Sequence, residues 1–310
     1  MTYSKNTTKG PEVQAFEIGE HEITLETFEH FEQILYKTNT PDEAYAKYGT
    51  KVLTDILQKS SPNLTETVIS NKNKLDTECG LIVIKETGID KVSKELAQLG
   101  SIAVSSLLGS PTPTTPRSPV IAWPITYKPE SRSSHKTFSE TNSEASFHTD
   151  SQYLDHPEKY FGLFCIKPDK FGDGISQVVD GNSIIHNLSK SHGKSVIDEL
   201  RKKYPFKLPS IFTKDDQELE PEVIWAPILS NNQIRYRNDT LMGALALESI
   251  TVPDTQLQAL QSFEEVLQKS DVINYSLEAG DVMFVNNHRM LHGRTAFQDV
   301  NRLLYRVRMD

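Results

Sequence analysis

Apolar positions fall into two patterns along this chain. Over 25–58 they recur at helical spacing (Phe28, Phe31, Ile34 and Leu35, then Val52, Leu53, Ile56 and Leu57), which predicts two helices. Segment 91–108 repeats that spacing with Val92, Leu96, Leu99 and Val104 on one side. Between them, the run from Cys79 through Lys85 is short, continuous and rich in β-branched residues, as a buried strand would be. The Pro/Thr/Ser stretch 109–118 reads as a long loop rather than an interdomain linker. Residues 1–12 read as a loose tail.

Past residue 118 the pattern changes to short strand-like runs separated by turns, at 120–127, 160–166, 175–180, 223–228, 234–237, 282–285 and 303–308. Helical spacing returns only over about 183–203 and about 254–269. Many short strands with few helices predict a mainly β protein with flanking helices, an antiparallel barrel or jelly roll rather than alternating βαβ units. No internal repeat is visible.

Composition narrows the function classes. A chain of 310 residues can bury one deep pocket or divide into two domains. The net charge of −9 offers no cationic surplus for phosphates, which argues against nucleic acid and anionic membranes as main partners. No apolar run approaches the roughly 18 residues of a membrane span, and the N-terminus has no apolar targeting core. A cytoplasmic protein acting on a small molecule is expected, with oligomerisation left open. Cys79 and Cys165 lie in apolar runs and read as reduced core residues; two thiols make neither a disulfide framework nor a cysteine zinc site. Trp123 and Trp225 read as core. The phosphate-cradling patterns GxGxxG and GxxxxGK[ST] are absent.

The candidate chemistry starts from histidines. On a strand, residues i and i+2 point the same way, so His-x-Asp/Glu can aim two ligands at one ion. Nine histidines and 42 acids predict about one such triplet by chance, and three occur: His30-Phe-Glu32, His148-Thr-Asp150 and His156-Pro-Glu158. His30 sits in a helical pattern, where i and i+2 diverge, and His156 precedes a proline in a polar turn. His148-Thr149-Asp150 alone lies at the edge of a β-rich segment. Near the C-terminus, Glu278-Ala-Gly-Asp281 feeds a strand that leads to His288, His292 and Arg294. Arg302 and Arg306 then share one strand face, because their separation is even. Guanidinium forks match carboxylates and stay charged when buried.

Two blocks, Ser146-Phe-His-Thr-Asp150 continuing to Gly181 and Gly280-Asp281 through Arg308 with Leu-His-Gly-Arg-Thr-Ala-Phe inside it, resemble the Fe(II)/2-oxoglutarate-dependent dioxygenases of the taurine dioxygenase (TauD/TfdA) type. That family includes γ-butyrobetaine hydroxylase-like and clavaminate synthase-like enzymes. The resemblance runs over roughly 120–310 and fades before about residue 75. It implies a double-stranded β-helix (jelly roll) in one domain over 1–310. Residues 1–110 would form a mostly helical flank, and 118–310 the core with a helical insert near 183–203. It implies Fe(II), 2-oxoglutarate and O2 as cofactor and co-substrates, with His148, Asp150 and His292 as metal ligands. Arg302 and Ser176 stand where the family binds the far carboxylate of 2-oxoglutarate. Arg306 matches a second arginine that faces an acidic group of the substrate, and the γ-butyrobetaine hydroxylases lack it. Arg237 and Asp239 stand where clavaminate synthase-like members carry substrate contacts, with a solvated strand end as the plain alternative; Phe138 and Ser139 are candidates to line the pocket. His288 and Arg294 read as structural.

The reaction implied is hydroxylation of an unactivated C–H bond of a small carboxylate-bearing metabolite, a free amino acid or similar zwitterion, with release of succinate and CO2. Desaturation or oxidative cyclisation from the same cofactors is the alternative. A silent jelly-roll binding protein is the non-enzyme alternative, and the intact His-Asp-His-Arg set speaks against it.

Overall fold

The computed structural model describes residues 16–115, 118–129, 137–209, 222–231 and 233–310; the tail expected over 1–12 lies outside them. The described residues open with strand β1 (Phe16–Glu20) and helices α1 (Leu25–Tyr36), α2 (Pro41–Ser60) and α3 (Pro62–Thr77). Strand β2 (Leu81–Lys85) and helix α4 (Lys94–Ser105) follow, then β3 (Pro111–Thr112), β4 (Trp123–Ile125), β5 (Ala145–His148), β6 (Tyr160–Lys167) and β7 (Ser176–Asp180). Helices α5 (Gly181–His192) and α6 (Lys194–Leu200) lead to the ribbon β8 (Lys203–Lys207) and β9 (Val223–Pro227). The remainder is α7 (Asn238–Leu245), α8 (Asp254–Gln268), β10 (Ile273–Tyr275), β11 (Val282–Asn286), β12 (Met290–Arg294) and β13 (Leu303–Met309).

Two sheets form the double-stranded β-helix. The larger has seven strands in the order β1-β2-β11-β6-β13-β3, with β4 also paired to β13; the smaller is β10-β7-β12-β5. Only β1–β2 pairs in parallel among the pairings of these sheets.

The continuous apolar runs follow from burial on both faces. Along β2, Leu81 and Val83 point between the sheets while Ile82 and Ile84 pack against α1–α4. Strand β11 does the same: Met283 and Val285 face inward, Val282 and Phe284 face the helices. The outer face of the smaller sheet is covered by α5–α8 and the β8–β9 ribbon, with Val179 and Leu291 in that second core. Strand β13 departs from the pattern. Tyr305, Val307 and Met309 face the helical layer, but its inward positions run Leu304, Arg306, Arg308.

Several expectations change in detail. The larger sheet takes β1, β2 and β3 from before residue 118, so the β core begins earlier than the anticipated 118. Within the stretch 109–118, Pro111 and Thr112 are tied to the larger sheet by β3 pairing with β13. The helix expected over 183–203 is two, split at Gly193, whose φ of +81° ends α5 in a conformation only glycine adopts without strain. Residues 234–237 form isolated bridges instead of a strand. Trp225 is 41% exposed rather than core, because it sits on the outer face of the β8–β9 ribbon. Both cysteines are free, Cys165 buried and Cys79 half-buried. No helix among the described residues is long and apolar enough to cross a membrane.

Candidate metal centre

The site forms where the smaller sheet meets the inner face of the larger one. His148 ends β5 and pairs directly across from His292 on β12, and His292 pairs on its other side with Val178 of β7. Val178 belongs to the inter-sheet core, so both imidazoles point between the sheets. Their ring centroids lie 4.3 Å apart, and Phe161 of β6 packs 4.4 Å from the His292 ring. Asp150 follows two residues after His148, and its backbone is held by Asn287. The Asn287 side-chain oxygen accepts from the Asp150 N–H (2.7 Å), and its amide nitrogen donates to the Asp150 carbonyl (3.2 Å).

The donor set fits one cation. One ligand atom each from His148, Asp150 and His292 lie within 4.8 Å of one another. Both Nε2 atoms stand 3.9 Å from Asp150 Oδ1. His148 Nδ1 lies 2.8 Å from the Ser146 carbonyl; donating there leaves Nε2 with its lone pair free. Burial lowers the His148 pKa to about 4, with the charge of Arg237 adding to it. Burial and the neighbouring His148 hold His292 well below the usual imidazole range. Burial alone would raise the Asp150 carboxyl, but Arg306 and then Arg308 outweigh it and hold it well below the usual carboxylate range. Two neutral imidazoles and an ionised carboxylate are the protonation states that a divalent cation requires. Two His and one carboxylate on one side of an ion are the facial arrangement of non-haem iron sites.

Arginines surround this set. Arg306 Nη1 donates to Asp150 Oδ1 (3.1 Å) and Arg308 Nε to Oδ2 (3.0 Å). Arg302, 4% exposed, donates to the Gly174 carbonyl (3.2 Å), while its Nη1 and the Nε of Arg306 are buried without an acceptor. A Cβ on Gly174 would lie 2.7 Å from Arg302 Nε, so glycine is what lets the guanidinium pass. Arg294 and Arg302 both stand over the Phe297 ring, at 4.6 and 5.0 Å. Ser176 is buried on β7 directly opposite Arg294. Arg294 donates to the Thr141 and Ser143 carbonyls (3.0 and 2.6 Å), in keeping with a structural part in anchoring the segment after Phe138.

Phe138 lies beside the metal set, its ring 5.2 Å from the His148 ring. Arg237 stacks on Phe138 at 4.5 Å and grips Asp239 with two hydrogen bonds of 2.7 and 2.9 Å. Ser139 accepts a hydrogen bond from the Trp123 indole. His288 contacts the Pro157 carbonyl, and His30 sits exposed on α1, so neither joins the site. Glu158 is buried near Arg308 without reaching the triad. Sequence reasoning missed Asn287 and Arg308. Strand alternation could have found Arg308, two residues past Arg306; nothing local marks Asn287, whose partner lies 137 residues away.

The family model "Taurine catabolism dioxygenase TauD, TfdA family" matches residues 77–308. Human gamma-butyrobetaine dioxygenase is 26% identical over 170 residues, 51% of this chain and 41% of that protein. Dioxygenase str8 of Strobilurus tenacellus is 24% identical over 174 residues, 54% of this chain and 39% of that protein. The match thus spans about two fifths of the length of these curated relatives. Among solved structures, an asparagine oxygenase complexed with Fe(II), 2S,3S-3-hydroxyasparagine and succinate superposes with a TM-score of 0.68 at 16% identity, covering 95% of this chain and 93% of that one. The non-heme iron oxygenase OrfP with Fe and alpha-ketoglutaric acid superposes at 0.65 and 17% identity, covering 94% and 93%. At such identities the structures speak for the fold, the double-stranded β-helix. The family match extends over most of the β core and back to the end of α3: this chain belongs to the TauD/TfdA family.

Proposed function

We propose that the protein is an Fe(II)- and 2-oxoglutarate-dependent oxygenase that hydroxylates an unactivated C–H bond of a free amino acid or a similar small zwitterion. The observation that carries this reading is the His148-Asp150-His292 set, the first two buried and His292 half-buried, with the Arg302 Nη1 buried without an acceptor in the same barrel. Fe(II) with 2-oxoglutarate and O2 supplies an oxidation in which one oxygen atom enters succinate, with loss of CO2, and the other enters the C–H bond.

The chain's own residues do the rest. His148, Asp150 and His292 would hold the metal, a facial set of the kind that leaves room for co-substrates. Arg302 Nη1 and the Ser176 hydroxyl receive the distal carboxylate of 2-oxoglutarate, so the buried N–H gains an acceptor on binding. The free Nε of Arg306 offers the same to a substrate carboxylate. Phe138, Arg237 and Asp239 form a wall beside His148 that supplies an apolar face, a cation and an anion, which suits a zwitterion. Phe161 packs on His292 and keeps water from that side. Solved relatives of this fold hold hydroxylated asparagine and hydroxylated arginine, which supports an amino acid as substrate. His148 and His292 lie on adjacent strands, so we place the site within one domain. Two free thiols fit a reducing cytoplasm.

Succinate release from 2-oxoglutarate, screened over amino acids, betaines and sulfonates with Fe(II) present, tests this reading. An amino acid that stimulates succinate release and gains one oxygen atom is the expected result. Stimulation by betaines or sulfonates alone would refute the substrate class, and a product short of two hydrogens would show desaturation instead.

A further inference from the structure

We propose that Arg308 is a positioning residue that fixes which oxygen of Asp150 faces the metal; the inference rests on the metal centre proposed above. Arg308 is two residues past Arg306 on β13 and shares its inward face. Its Nε donates to Asp150 Oδ2 (3.0 Å) and its Nη1 to the Thr114 carbonyl (3.3 Å). Two bonds to acceptors on different segments fix the guanidinium plane. Both side chains are buried, Arg308 at 6% and Asp150 at 3% exposure.

The terminal torsion of an aspartate is broad and two-fold, so an unrestrained carboxylate offers either oxygen and swings between them. Here the backbone of Asp150 is clamped on both sides by Asn287, and the side chain is clamped by Arg308 through Oδ2. Held this way, the carboxylate turns Oδ1 toward both imidazoles, 3.9 Å from each Nε2, with Arg306 Nη1 donating to that same oxygen (3.1 Å). Arg306 cannot do the same work, because its contact is to Oδ1 itself.

Charge and geometry predict opposite signs. A cation beside a ligand carboxylate repels a divalent metal, so by charge alone removing Arg308 tightens metal binding. If Arg308 orients the ligand, removing it weakens binding, typically about 10–100-fold for a partner of a ligating group. Lysine keeps the charge but cannot span both acceptors with a planar fork.

The test is calorimetric titration of the full chain with Ni(II), for wild type, Arg308→Lys and Arg308→Gln. Phe284→Ala, which loosens the larger sheet without touching Asp150, is the control. We expect Kd to rise at least about tenfold in both Arg308 variants and to stay within about twofold of wild type in Phe284→Ala. An unchanged or tighter Kd in folded Arg308→Lys overturns the inference. So does an equal loss in Phe284→Ala, or failure of both Arg308 variants to fold, since each would mark Arg308 as merely structural. Failure of the wild type to bind Ni(II) would instead count against the metal centre itself.

Discussion

His148 and His292 are cross-strand partners: 144 residues apart in the chain, they face one another on β5 and β12 with ring centroids 4.3 Å apart. Their convergence is therefore a matter of sheet register, and a slip of one residue would turn one imidazole out of the barrel. Asp150 depends on a different device, the Asn287 clamp.

Replacing either histidine with alanine removes a metal ligand and leaves no unpaired charge. His148→Ala and His292→Ala should each lower Fe(II)-dependent succinate release by more than about a hundredfold, beyond the effect of losing a partner of a ligand, with little change in Tm. Asp150→Ala should lose activity equally but also strand Arg306 and Arg308 in the interior. That costs about 3–5 kcal/mol and a Tm drop of about 6–10 °C. Parallel activity and melting measurements separate the two classes.

Arg302→Leu deletes the proposed partner of the distal carboxylate. A buried charge-assisted pair is worth about 2–5 kcal/mol when one partner is truncated, so KM for 2-oxoglutarate should rise about 30-fold or more. Kinetics at varied 2-oxoglutarate and fixed substrate check this; a KM within about threefold of wild type would remove Arg302 from the site.

Much of this site could be read from the chain because its parts obey short-range rules. His148 and Asp150 are two residues apart at a strand end, and Arg306 and Arg308 follow strand alternation on β13, whereas Arg302, expected on the same strand face as Arg306, stands just before that strand. Strands β2, β6 and β11 were legible because burial on both faces writes a continuous apolar run. Other elements lacked such marks. In α3 the buried apolar residues are sparse among Thr and Asn (Leu64, Val68 and Leu75), which blurs its period. Met290-Leu-His-Gly-Arg294 has no β-branched residue and contains a glycine, yet it is the inner strand β12, fixed by pairing with β7 and β5. Asn287 became visible only when the fold placed it against Asp150.

Asp239 holds Arg237 in a bidentate pair above Phe138. Asp239→Asn should break the fork and raise KM for the amino-acid substrate about tenfold, the worth of a charged hydrogen-bond pair of about 1.4 kcal/mol. KM for 2-oxoglutarate should stay within about twofold. Equal rises in both constants would place Asp239 outside the substrate wall.

Gly162 on β6 faces Phe284 on β11, and a Cβ there would lie 2.9 Å from both the Phe284 and the Phe164 rings. Gly162→Ala should destabilise by about 1–3 kcal/mol through overpacking. Phe284→Leu in the same chain should recover part of that loss. Thermal melts of the single and double variants measure the recovery; additive losses would contradict this contact as the cause.

The central claim, that His148, Asp150 and His292 hold Fe(II) with 2-oxoglutarate anchored by Arg302, is tested most directly by anaerobic visible spectroscopy. Adding Fe(II) and 2-oxoglutarate to the wild-type protein should produce a weak charge-transfer band that is absent with Fe(II) alone and absent in His148→Ala. A folded wild-type protein that shows no band, or an undiminished band in His148→Ala, would contradict it.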